Sequence, residues 1–340
     1  MGRPKILYAP VSAHTERVFR PETFARFQRR FEVTLNEGER NWTSEELAER
    51  IAGFEGLVTG WGTPPLTEEV WEKADRLRIV AHSAGSVKYL FPGDTLNEYV
   101  RPRGIVIFSA NAAIALNVAE ATIGLMIAVS RHWYNFWHAV RTQGAWRHPT
   151  IPRNGQFLRG STVGIIGASK VGREVIRLLR PFDVRILVYD PYLSEWEAGR
   201  LGVEKADLET LMSTCDIISF HHPTTPETDR LVGADLLAKI KEGALLINTA
   251  RPRIFDPEAF LAEARKGRFL IALDVTEPEP LPPDHPLRRL PNVYITPHCA
   301  GAGFYGYHRI GESTLQALED FFAERPVEGA VNLDLWDTLA

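Results

Sequence analysis

The segment TVGIIGASKVGR, residues 162–173, decides the fold of this chain. Val163, Ile165 and Ile166 make the apolar run of a buried parallel strand, Gly167 turns the chain tightly, and Gly172 lets the following helix pack closely on the sheet. The start of that helix presents unpaired N–H groups and the positive end of its dipole, a seat for a pyrophosphate. After 174–179 the chain enters RILVYD, a second strand closed by Asp190. This carboxylate follows Gly172 at close to the roughly 20 residues at which an acid grips ribose hydroxyls. Ser169 stands where the middle glycine of GxGxxG is usual. Strand, turn, helix, strand and terminal acid in this order predict a dinucleotide-binding unit.

On the C-terminal side, DIISFHH, ALLINTA, FLIALDV and VYITPH read as further strands with helices between them. They predict a doubly wound parallel sheet whose strands end at polar residues. On the N-terminal side, ILYAP, VTL, GLVTG and RIVAHSAG alternate with helical patterns at 24–31, from Thr43, and at 67–74. Up to about residue 110 this is a flavodoxin-like α/β unit. Thr43 with Glu46 forms a capping box. A helix rich in Ala, Ile and Met is expected at 118–131, and the large aromatics of WYNFWH after it read as core or subunit interface. A last helix is expected at 307–324. The run EPEPLPPDHP reads as a rigid loop.

With 340 residues and 44% hydrophobic content, the chain is long enough for two domains with cores of their own. Its net charge of −4 comes from interspersed acids and bases, which favours neither nucleic acid nor an anionic membrane as partner. No run of about 20 apolar residues and no apolar leader is read, so the expectation is a soluble cytoplasmic protein. Cys215 and Cys299 lack metal-ligand spacing and are expected as reduced thiols, with no metal.

Chemistry in a doubly wound fold collects outside the carboxyl ends of the strands. Arg251 closes LLINTAR, Asp274 closes LIALD with Glu279 shortly after, and His298 closes VYITPH. A guanidinium can hold a 2-keto acid bidentately and polarise its carbonyl. An imidazole can donate the proton that a new hydroxyl needs, and a carboxylate bonded to it favours its charged form and fixes its orientation. With a nicotinamide, these residues make a complete hydride-transfer site.

The same segments resemble the D-isomer-specific 2-hydroxyacid dehydrogenase family over nearly the whole chain. LRGSTVGIIGASKVGR is similar to the family's cofactor turn, HHPTTPET to the loop flanking adenosine, INTARPRIFDPEAF to its arginine motif, LDVTEPEPLPPDHPL to its glutamate motif and TPHCAG to its histidine motif. The resemblance implies Arg251 as substrate-orienting residue, His298 as acid/base and Glu279 as its partner. It implies NAD contacts at Val118, Gly167, Ser169, Lys170, Val171 and Asp190, at His222, Pro223 and Thr228, and at Thr249, Ala250 and Asp274, the last holding the carboxamide. HSAGSVK resembles the loop whose amides take the substrate carboxylate, pointing to Ala84, Gly85 and Ser86. Pro252 replaces the glycine that usually follows the arginine.

The family's architecture implies a Rossmann cofactor domain at 111–298 inserted in a substrate domain made of 1–110 and 299–340, in a homodimer with the Val118 helix near the two-fold contact. The implied activity is reversible NAD-dependent reduction of a 2-keto acid to a D-2-hydroxy acid. Asp190 favours NAD, because its charge repels a 2′-phosphate. The alternative is an NAD(H)-sensing binding protein or corepressor on the same fold, which an intact Arg, Glu and His set disfavours. Pocket shape would depend on His82, Lys88, Tyr99 and Phe304, with Lys88 either solvated or reading a second anionic group.

Overall fold

The computed structural model describes residues 2–146, 151, 152, 155 and 158–339, apart from the side chains of Phe304 and Thr338. Its chain divides into two compact units, Met1–Ile114 with Ala302–Ala340, and Ala115–Gly301. The divisions fall a few residues beyond 110 and 298. Ala113 packs among the apolar side chains of the first unit, so the opening turn of the helix that follows counts with that unit.

The first unit holds a five-stranded sheet of β1 (Lys5–Tyr8), β2 (Glu32–Leu35), β3 (Gly56–Thr59), β4 (Ile79–His82) and β5 (Val106–Ser109), in the order β2-β1-β3-β4-β5. Every pairing is parallel. All residues of β3 and β4 are buried, as strands covered on both faces must be. One cluster gathers Leu47, Trp71 and Leu96. Another gathers Phe27 with Ile310 and Leu318 of the helix Phe304–Phe322. The helix Ser44–Ala48 opens on the Thr43 and Glu46 capping box. β5 is additional to the four strands read from the sequence.

The second unit holds β6 (Thr162–Ile166), β7 (Arg185–Tyr189), β8 (Glu204–Lys205), β9 (Ile217–Phe220), β10 (Leu245–Asn248), β11 (Leu270–Leu273) and β12 (Val293–Ile295). Their order is β12-β11-β10-β9-β6-β7-β8, again all parallel. The order reverses between β6 and β9, and sheets of this kind bind ligands outside the strand ends at such a switch point.

Two helices depart from expectation. Asn111–Ser130 is long and apolar enough, by length and composition, to cross a membrane. Its Ala119, Leu125, Met126 and Val129 nevertheless lie in the core of the second unit, and a buried core helix passes the same test. In the helix Trp133–Gln143, Trp133, Tyr134 and Trp137 are 53%, 46% and 61% exposed. They are not core, because Ala139 is the buried residue recorded for this helix and its aromatic face points to solvent.

Candidate active site

The cofactor turn is built on close backbone approach. Gly167 has φ 97°, and a Cβ there would lie 2.7 Å from the nitrogen of His222; a Cβ at Gly172 would lie 2.1 Å from the Gly167 oxygen. No larger residue fits either place. Ser169 caps the helix Lys170–Leu179: its hydroxyl donates to the His221 carbonyl at 2.6 Å and accepts from the Gly172 N–H at 3.3 Å. It therefore satisfies an amide that glycine would leave open and ties the turn to the end of β9. Lys170 and Val171 form the first turn of that helix. Asp190 accepts from the N–H groups of Ala168 at 2.7 Å and Tyr192 at 2.8 Å, which fixes its carboxylate beside the glycine turn with lone pairs to spare.

The loop after β9 is internally braced. Ser219 Oγ lies 2.8 Å from His221 Nε2, His222 Nδ1 donates to the Pro223 carbonyl at 2.8 Å, and Thr228 Oγ1 donates to the same carbonyl at 2.7 Å. Burial holds His221 down at about 3 and keeps His222 below its ordinary value, against the opposing pull of the Pro223 carbonyl and Asp190. Both rings are neutral. His221 Nδ1 and His222 Nε2 are buried without a hydrogen-bond partner among the described residues, a state native proteins seldom leave unexplained. Orphaned nitrogens beside a glycine cradle fit a bound dinucleotide.

β10 delivers the arginine. Asn248, fully buried, accepts from the Ala250 N–H at 2.9 Å and donates to the Arg251 carbonyl at 2.8 Å, clamping the turn. Thr249 Oγ1 lies 3.1 Å from Thr122 Oγ1, which donates to the Val118 carbonyl at 2.7 Å, so the turn is joined to the helix bearing Val118. The half-buried Arg251 donates to the Ala250 carbonyl at 2.7 Å. Burial lowers its pKa, and the charge of Glu279 opposes that shift.

β11 and β12 deliver the histidine and its carboxylate partner. Asp274, 2% exposed, accepts from Thr296 Oγ1 at 2.6 Å, Cys299 N at 2.9 Å and Ala300 N at 2.8 Å, while its carbonyl accepts from His298 N at 2.8 Å. Its carboxylate is turned into the histidine loop, which it holds. His298 has φ 50°, a left-handed conformation rare outside glycine, and its Nδ1 lies 2.6 Å from Glu279 Oε1. Asn248, Thr122 and Thr296 are not singled out by sequence alone. A buried Asn ending an apolar strand is the signal that could have found the first, since such an amide must be bonded.

In the first unit, Ala84, Gly85 and Ser86 follow β4. The Gly85 carbonyl accepts from Ser109 Oγ at 2.6 Å, and the N–H groups of Ala84 and Gly85 take no partner among the described residues. Lys88 donates to the Asp337 carbonyl at 3.0 Å, which leaves its charge and two of its N–H groups available. Tyr99 donates to Glu68 at 3.3 Å and stacks on Trp71. His82 is buried, and the Phe304 side chain lies outside the described residues.

A parallel-sheet dinucleotide unit whose strand ends present Arg251 and a Glu-bonded histidine has the make-up of a hydride-transfer protein. Residues 123–300 match the family described as D-isomer specific 2-hydroxyacid dehydrogenase, NAD binding domain. The chain is 33% identical over 326 residues to the glyoxylate reductase of Thermofilum pendens, covering 94% of this chain and 91% of that one. It is 33% identical over 290 residues to the D-3-phosphoglycerate dehydrogenase of Archaeoglobus fulgidus, covering 85% of this chain and 53% of that protein. The chain thus spans about half the length of the phosphoglycerate dehydrogenases it matches. The crystal structure of the TT0316 protein from Thermus thermophilus aligns with a TM-score of 0.77 and 30% identity, covering 96% of this chain and all of that one. The chain belongs to the D-isomer specific 2-hydroxyacid dehydrogenase family.

Proposed function

We propose that this protein is an NAD-dependent D-2-hydroxyacid dehydrogenase that interconverts a 2-keto acid and a D-2-hydroxy acid. The observation that carries the reading is the 2.6 Å contact between His298 Nδ1 and Glu279 Oε1 at the end of the sheet that also presents Arg251. When bound, the reduced nicotinamide supplies the hydride that the keto carbon accepts. Arg251 holds the substrate carboxylate and polarises the carbonyl. His298, its Nδ1 proton committed to Glu279, gives the proton on Nε2 to the carbonyl oxygen, and takes it back in the oxidising direction. The free N–H groups of Ala84 and Gly85, with Ser86, take the substrate carboxylate. Gly167, Ser169, Lys170 and Val171 receive the pyrophosphate, Asp190 the ribose, the loop of His222, Pro223 and Thr228 the adenosine, and Val118, Thr249 and Ala250 the nicotinamide end, while Asp274, read from the resemblance as a carboxamide ligand, is committed to the histidine loop.

The protein works as a cytoplasmic homodimer. The exposed Trp133, Tyr134 and Trp137 supply an apolar face of the kind subunits bury. Light scattering that returns a monomer at working concentration would remove this part. The activity is tested by following NADH consumption with pyruvate, glyoxylate, hydroxypyruvate, phenylpyruvate and branched keto acids. Tight NADH binding with no turnover of any of them would give the protein to the nucleotide-sensing alternative.

A further inference from the structure

At the carboxyl ends of β3 and β4 the first unit gathers side chains that proton and hydride transfer do not use. Ser83 Oγ donates to the Thr59 carbonyl at 2.7 Å and lies 2.8 Å from His14 Nε2, so the imidazole must be the donor in that pair. Thr59 Oγ1 lies 2.8 Å from His82 Nδ1. Both histidines are buried. Burial and the neighbouring Arg17 hold His14 down at about 4, and burial and His14 hold His82 at about 3. At neutral pH this cluster carries no charge.

Aromatic rings cover it. Trp61 meets the His14 ring at 5.3 Å and Tyr307 at 5.8 Å, while Tyr89 meets the His82 ring at 5.9 Å and donates from its hydroxyl to the Gly60 carbonyl at 3.1 Å. A Cβ at Gly60 would lie 2.5 Å from the His14 ring, so that ring lies directly against the backbone between Trp61 and Thr59. Trp61 is 38% and Tyr89 44% exposed. Of the nearby cations, Lys88 is bonded to the Asp337 carbonyl, and Arg17 is exposed on the helix Ser12–Val18.

Resting on the dehydrogenase reading, in which the loop 84–86 takes the carboxylate, we propose that Trp61, Tyr89 and Tyr307 seat the substrate's side chain, and that the substrate is a 2-keto acid bearing a bulky, ring-containing apolar group. Ser83 joins that loop directly to the wall through His14, so a ligand whose carboxylate sits on the amides has the aromatic rings as its next neighbours. Rings left partly in water gain by covering an apolar group. A phosphate placed against this wall would exchange its hydration for ring faces and two uncharged histidines. The reaction is the two-electron step already given: keto acid, NADH and one proton become the D-hydroxy acid and NAD⁺.

The test compares kcat/KM of the full chain with NADH for phenylpyruvate, glyoxylate and 3-phosphohydroxypyruvate. Phenylpyruvate is expected to lead by about tenfold or more, the range that apolar pockets deliver. Trp61→Ala and Tyr89→Leu should each shrink the phenylpyruvate to glyoxylate ratio by about tenfold. Preference for glyoxylate or the phosphorylated acid, or equal losses on all substrates, overturns the proposal. Binding gives an independent readout: phenylpyruvate should quench tryptophan fluorescence in the parent and much less in Trp61→Phe. That quench without turnover of any keto acid would keep the aromatic seat and sink the dehydrogenase reading. No quench and no turnover overturns both.

Discussion

Glu279 Oε1 lies 2.6 Å from His298 Nδ1, and the histidine reaches it from a left-handed backbone with φ 50°. The Asp274 carbonyl and carboxylate hold that backbone through His298 N, Cys299 N and Ala300 N. Asp274 and Glu279 both follow β11 and His298 follows β12, so two neighbouring strand ends orient the imidazole.

His298→Asn should remove the proton donor and lower kcat by about 10² to 10⁴. NADH affinity, measured by fluorescence titration, should stay within about twofold, because the proposed cofactor contacts at the glycine turn and Asp190 are untouched. A variant with parental kcat would show that another group protonates the substrate.

Ser169→Ala removes both a helix cap and the bond to the His221 carbonyl. Urea unfolding should show a loss of about 0.5–2 kcal/mol, the usual cost of an N-cap truncation. Unchanged stability would mean that the cap does not hold the turn in solution.

Asp190→Asn removes the charge beside the turn. The kcat/KM ratio of NADH over NADPH should fall by roughly tenfold or more, as expected when a like-charge clash is relieved. A parent that uses both cofactors equally would refute the NAD preference outright.

His14 is held down at about 4 in the folded protein, below the value of about 6.5 for an unfolded histidine. Between these values the unfolded chain binds the additional proton, so stability is full above about pH 6.5 and falls as the pH drops toward 4. His14→Gln should flatten this slope relative to the parent in urea titrations at pH 7 and pH 5. Parallel slopes would show that His14 does not titrate on unfolding.

The sheets are legible in the sequence because parallel strands covered on both faces are written as apolar runs, such as LLIN and IISF. Glu204 and Lys205 of β8 are exposed, with no apolar pattern to betray them. β5 is hidden because VIFS runs into the apolar helix Asn111–Ser130 almost without a break. Strand-end position points to Arg251 and His298, and a serine just before a helix is a readable N-cap, but nothing local could show Asp274 turning inward or Ser169 reaching the His221 carbonyl. The His14 network joins residues from separate strands and a helix, so only the folded chain displays it. The exposure of Trp133 and Trp137 escapes a reading of the sequence because hydrophobicity states a preference for burial, not the presence of something to be buried against.

The division of the chain sets an order of assembly during synthesis. Everything in Ala115–Gly301 is contiguous, so that unit can close its core once its own last strand has been made. Ile6 and Tyr8 share their cluster with Ile310 and Leu318, which are translated only afterwards. β1 must therefore wait, partly uncovered, for the helix Phe304–Phe322, and the contiguous unit can close before the divided one.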